Sequence, residues 1–148
     1  MITIRDAHTD DAGTIAALMA EMARSFGDEP EMDATYVPVF LGHPGTGVLI
    51  AEKDERPVGL LAYSIRPNLY HGGGAGAVEE LVVSETARRE GIGRALLKAA
   101  MERFEATGCV EIGLSTDTDN AAAQALYRSV GLTEESLELA RHRRANAD

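Results

Sequence analysis

The chain has 148 residues, 45% hydrophobic and 26% charged, the composition of one globular domain with enough apolar side chains for a substantial core. Its formal charge of −10 argues against a nucleic-acid backbone or an anionic membrane as the main partner. No apolar run approaches the roughly 18–20 residues that cross a bilayer. No signal peptide is expected from Met1-Ile-Thr-Ile-Arg-Asp6, and the single Cys109 excludes an intramolecular disulfide framework, so the expected setting is reducing and cytoplasmic.

Charge is unevenly spread. Residues 1–80 carry thirteen acids and five bases, whereas residues 81–148 carry eleven acids and nine bases. The first part suits attraction of cations, and the second has basic side chains available for an anion. Solubilising surface charge is the plainer alternative.

The chain is free of repeats, low-complexity tracts and linkers and is read as one domain, 1–148. Ile2–Asp6 alternates like a strand, and Thr9-Asp-Asp11 offers helix caps before Ile15, Leu18, Met19, Met22 and Phe26, which recur at helical spacing. Gly27 ends that helix, and the acidic connector Asp28–Asp33 leads to a second helix through Phe40 that Pro38 weakens. After the turn cluster His43–Gly47, the segments Val48–Glu52 and Val58–Ile65 flank Lys53–Pro57 as a hairpin. Gly72-Gly-Gly-Ala-Gly76 has no helix directly after it, so it reads as an interstrand loop rather than a phosphate cradle.

Ala77–Val83 follows as a strand, then a helix from about Gly91 to Thr107 with Ile92, Leu96, Leu97, Ala100, Met101 and Phe104 on one face and Arg94, Lys98, Glu102 and Glu105 opposite. Gly108 ends it. Val110–Thr116 is the next strand, Ala121–Val130 a helix capped within Thr116–Asn120 and stopped at Gly131, and Glu135–Ala140 a last strand. The order β-α-α-β-β-β-α-β-α-β describes an α/β (α+β) domain with a mixed sheet.

The sharpest local feature is Leu81-Val-Val-Ser-Glu-Thr-Ala-Arg88-Arg-Glu-Gly91-Ile-Gly93-Arg94. An apolar strand runs through a loop with two glycines straight into a helix. The first-turn N–H groups of a helix have no intrahelical acceptor and carry the positive end of its dipole. Gly91 and Gly93 let a phosphate approach the backbone, and Arg88, Arg89 and Arg94 add charge, so the segment suits a diphosphate. Neither a P-loop nor a dinucleotide fingerprint fits: no Gly-x-x-x-x-Gly-Lys-Ser/Thr occurs, and Leu96 stands where the fingerprint needs its third glycine.

This loop resembles the Arg/Gln-x-x-Gly-x-Gly/Ala loop of the GNAT superfamily of N-acetyltransferases. Asn120-Ala-Ala-Ala-Gln-Ala-Leu-Tyr127-Arg-Ser-Val-Gly131-Leu132 resembles that family's Asn-x-x-Ala-x-x-Leu-Tyr-x-x-x-Gly-Phe segment, and Ile4-Arg-Asp-Ala7 is a familiar opening. The likeness is specific over residues 80–132 and architectural before them. It implies a mostly antiparallel central sheet flanked by helices, with acetyl-CoA as cosubstrate. Leu81, Val82 and Val83 would offer backbone groups to the pantetheine arm, and Arg88, Arg89, Glu90, Gly91, Ile92, Gly93 and Arg94 would hold the pyrophosphate.

Two departures stand out: Arg89 replaces a frequent glycine, and Glu90 brings a negative charge that has to turn away from the phosphates. Leu132 for the usual Phe is a packing change.

Asn120 and Tyr127 are seven residues apart, two helical turns less about 20°, and so share a helix face. The resemblance implies cofactor contact for Asn120, and cofactor contact with general-acid catalysis for Tyr127. A phenol with a pKa of about 10 can protonate a thiolate. A core tyrosine with a satisfied hydroxyl is the alternative. The attacking amine must lose a proton, and Glu80, with Glu79 behind it, is the candidate base, directly or through a water. Adjacent strand residues face opposite sides, so only one of the two should face the reaction centre unless a bulge of the kind frequent in this family intervenes.

Ser115, where some relatives place a base on the next strand, is a poor one. Cys109 reads as a structural thiol. His8, His43, His71 and His142 lack metal-ligand spacing, so no metal is expected. Tyr70 and His71 read as loop surface. The function this implies is direct transfer of acetyl from acetyl-CoA to a primary amine, on a cationic small molecule or a lysine-like group. The alternative is a non-catalytic acyl-CoA-binding sensor or regulatory module. Partners are expected to be the amine and, as often in the family, a second copy, with no nucleic acid or membrane.

Overall fold

The computed structural model describes residues 1–142. They form two compact units, Met1–Leu114 and a second that begins at Ser115.

The first unit is built on a five-stranded sheet in the order β1 (Ile2–Asp6), β2 (Thr46–Lys53), β3 (Arg56–Asn68), β4 (Gly73–Val83) and β5 (Cys109–Leu114). The first four strands pair antiparallel, and β5 joins β4 parallel. This is the mixed, mostly antiparallel sheet with flanking helices that the sequence implies. One side is covered by α1 (Ala12–Ser25) and α2 (Tyr36–Gly42): Ile15, Leu18 and Val37 pack with Val48, Ile50, Leu60, Ala62 and Val82. α3 (Ile92–Ala106) covers the other side, burying Ile92, Leu96, Leu97, Ala100 and Phe104. Phe104 meets Tyr63 of β3 edge-on, with ring centroids 5.7 Å apart.

Local chemistry explains the boundaries. Pro38 is the third residue of α2, within the turn whose N–H groups have no helical acceptor, so it does not break the helix. A 3₁₀ turn, Thr9–Asp11, precedes α1, and Asp11 binds both the His8 amide (2.8 Å) and the Arg5 guanidinium (2.8 and 2.9 Å). The paired charge holds the Asp11 carboxyl down to about 2.

The Gly72–Gly76 stretch, expected as a loop, belongs almost wholly to β4. Gly73–Gly76 pairs with Ile65–Asn68, which extends the β3–β4 hairpin. The glycines serve close packing rather than a turn: a Cβ at Gly76 would lie 2.6 Å from the Phe104 ring, and one at Gly73 would lie 2.8 Å from Val110.

In the second unit, α4 (Ala121–Ser129) starts at Asn120, whose side chain accepts from the Ala123 amide at 3.1 Å. The helix ends at Gly131, which has a positive φ. The expected last strand, Glu135–Ala140, does not form. Those residues carry no regular structure, and Leu137 and Leu139, the apolar positions of the alternation, are exposed. Alternation alone makes no strand without a ladder partner.

Candidate active site

The central feature is where β4 parts from β5. Their pairing ends at Val78–Leu114, whereas β4 runs on to Val83. Within this unit, β4 beyond Val78 is paired on one side only, to β3. Alternate residues of Glu79–Val83 therefore direct N–H and C=O groups towards that open side. Leu81, Val82 and Val83, the expected pantetheine contacts, lie in this stretch.

A bulge sits at the same place. Ala62 of β3 pairs with Glu80 and Tyr63 pairs with Val78, which leaves Glu79 as the extra residue. Ala62 and Val82 belong to the layer that faces α1 and α2, so Glu80, opposite Ala62, faces that side as well. Ser64, two residues beyond Ala62, shares the face, and its hydroxyl donates to Glu79 Oε1 at 2.6 Å. Both glutamates thus turn to one side of the sheet, which a regular strand would forbid.

Their surroundings differ. Glu79 is exposed, while Glu80 is half-buried and its carboxyl is pushed up from the usual carboxylate range, first by burial and then by the charge of Glu79.

From Val83 the chain passes through a short 3₁₀ turn, Glu85–Ala87, into the loop that opens α3. Glu21 of α1 fixes this junction, accepting from the Ser84 hydroxyl and the Glu85 amide, each at 3.1 Å. Arg88 donates to the Val83 carbonyl at 3.4 Å. Arg89 is held at φ 67° and Gly91 at φ 78°, so the loop turns twice through the left-handed region before the helix begins. That backbone explains why glycine is frequent where this chain has Arg89.

No side chain caps α3, whose first-turn amides have no intrahelical acceptor, and a Cβ at Gly91 would meet no atom within 4 Å. Arg88, Arg89 and Arg94 are exposed around this end, Ile92 is buried beneath it, and Gly93 lies in the first turn. The arrangement fits a diphosphate by backbone, dipole and charge together. Glu90, the apparent misfit, forms an ion pair with Lys53 at the end of β2, which occupies its carboxylate.

In the second unit, Asn120 caps α4 and Tyr127 lies half-buried two turns along the helix. Gln124 braces the preceding loop by donating to the Asp117 and Thr118 carbonyls at 2.9 and 3.0 Å. Cys109 is partly buried, with its sulfur 3.6 Å from the Thr107 hydroxyl. Among the described residues no cluster of metal-ligating side chains occurs, and no helix is long and apolar enough to cross a membrane.

Sequence reasoning missed Ser64, Glu21 and Lys53. Each acts on a partner at least fifteen residues away in the chain, and only the pairing of strands and helices brings them together.

Known proteins share both the sequence pattern and the fold. An aminoglycoside N(6')-acetyltransferase type 1 of Klebsiella aerogenes is 30% identical over 96 residues, which is 64% of this chain and 63% of that enzyme. The match thus spans slightly less than two thirds of its length. An aminoalkylphosphonate N-acetyltransferase of Salmonella typhimurium is 27% identical over 86% of this chain and 82% of its own. Among solved structures, a transcriptional regulator from Bacillus halodurans C-125 superposes with a TM-score of 0.84 at 26% identity, covering 97% of this chain and all of that one. The sequence model of the acetyltransferase (GNAT) family matches residues 14–132, the stretch that holds most of α1, the open strand edge, the loop on α3 and α4, and the chain belongs to that family.

Proposed function

We propose that this chain transfers an acetyl group from acetyl-CoA to a primary amine by direct attack, and that the amine is carried by a cationic molecule. The observation that carries the reading is the one-sided β4 edge over Glu79–Val83, running through a left-handed loop onto the uncapped N-terminus of α3. An extended polar arm ending in a diphosphate matches that sequence of surfaces: strand-like pairing first, then helix amides and arginines.

Leu81, Val82 and Val83 would hold the arm, and Arg88–Arg94 the pyrophosphate. When bound, acetyl-CoA supplies the activated acyl group. The protein's own part is proton traffic and positioning. Glu80 Oε accepts the proton of the incoming ammonium, directly or through a water, and its raised proton affinity suits it to that work better than an ordinary surface carboxylate. β4 amides would polarise the carbonyl under attack, and the Tyr127 hydroxyl would return a proton to the departing sulfur. A cationic acceptor is supported by the net charge of −8 over residues 1–80 and by the likeness to an aminoglycoside-modifying enzyme.

Tyr127→Phe tests the assignment. It should lower kcat by about 10²-fold and weaken CoA binding far less. An unaltered kcat would remove Tyr127 from the mechanism. Turnover of acetyl-CoA with any amine separates this reading from a non-catalytic acyl-CoA-binding module, which would bind CoA saturably without releasing thiol.

A further inference from the structure

The bulge in β4 places two carboxylates on one face, and a serine from the neighbouring strand restrains one of them. We propose that Ser64 is a positioning residue: it holds the Glu79 carboxylate beside Glu80, so that the base works against a fixed negative neighbour rather than a mobile one. This rests on the assignment of Glu80 as the base.

The geometry is specific. Glu79 is the residue without a partner across the β3–β4 ladder, and nothing in the ladder itself would keep its side chain on the α1/α2 side. The Ser64 hydroxyl supplies that restraint, at 2.6 Å from Glu79 Oε1. That hydrogen bond fixes where the Glu79 carboxylate sits.

The elements packed against β4 add no competing charge at Glu80. Ala62 and Ser64 are its neutral neighbours on β3, and the Glu21 carboxylate of α1, still an anion, is directed to Ser84 and Glu85 beyond the end of β4 and is not among the charges acting on Glu80. α3 lies on the opposite side of the sheet, and β5 has left the ladder by Val78. Among the described residues Glu79 is the charged group that acts on Glu80. A nearby negative charge destabilises the ionised base and so increases its readiness to take a proton, by an amount that depends on where that charge is held.

Carboxyl-carbon NMR of the chain labelled at glutamate reads this directly, with the Glu80 signal assigned by its loss in Glu80→Gln. In Ser64→Ala the titration midpoint of Glu80 should fall and kcat should drop about two- to threefold, with KM for the amine nearly constant. Ser64→Thr, which keeps the hydroxyl, should restore both. Glu79→Gln, a change at an exposed position, should lower the midpoint further, and adding Ser64→Ala to it should change nothing more. An unchanged Glu80 midpoint in either Ser64→Ala or Glu79→Gln overturns the proposal. Full turnover by Glu80→Gln would instead remove Glu80 as the base, a separate failure that the titration distinguishes.

Discussion

Glu79 and Glu80 are neighbours with the same side chain, and the fold separates their chemistry by a single bulge. Glu79 lies in solvent against Ser64, while Glu80 is half-buried and holds its proton more tightly than a free carboxylate. The stability consequence has a definite sign. A carboxyl that binds its proton more tightly folded than unfolded costs the folded state free energy once ionised. That cost is absent below the ordinary carboxyl range and present in full above the raised folded value. Glu80→Gln should therefore melt somewhat higher than the parent at neutral pH, with the gap closing as pH falls into the ordinary carboxyl range. It should also lose acetyl transfer. Differential scanning calorimetry across that pH range checks the first part, and a lower melting point at neutral pH would show that Glu80 is held by interactions absent from this structure. Such a trade of stability for chemistry is expected where a titratable group is kept partly out of water.

Among the elements, the passage from β4 to α3 carries most of the candidate site, and it was also the most legible. The apolar stripe of α3, its glycine-bearing start and the two acids on the strand before it are all local patterns. Three features were not legible, each for a physical reason. The bulge at Glu79, which only the family resemblance raised as a possibility, is a property of pairing with β3, and alternation within one strand cannot reveal it. Gly73–Gly76 looked like a loop because the neighbours that demand glycine, Phe104 and Val110, arrive about thirty residues later. Glu135–Ala140 alternates like a strand, but pairing, which single-strand pattern does not encode, is absent there.

Arg89 offers a test at this scale. Its left-handed backbone costs an L residue about 1–2 kcal/mol, partly offset by the entropy glycine would lose on folding. Arg89→Gly should thus stabilise by about 0.5–1 kcal/mol, a rise in Tm of about 2–4 °C. A fall in Tm would mean that the Arg89 side chain contributes more than its backbone costs.

At the scale of the molecule, the distribution of charge matches a division of labour. The acidic bias over residues 1–80 accompanies the elements on the Glu79–Glu80 side of the sheet, and the arginines of residues 88–94 surround the helix end suited to a diphosphate. Glu90 does not spoil this separation, because Lys53 takes its charge. On the proposed function, an anionic donor and a cationic acceptor would approach regions of opposite local charge. Release of CoA thiol from acetyl-CoA over a panel of amines measures the proposed amine acetylation most directly. Polyamines, aminoglycosides and lysine-like amines should support turnover, with a KM that rises as salt screens the acidic side. Neutral and acidic amines should be poor acceptors. Saturable CoA binding with no thiol release for any amine would contradict the claim.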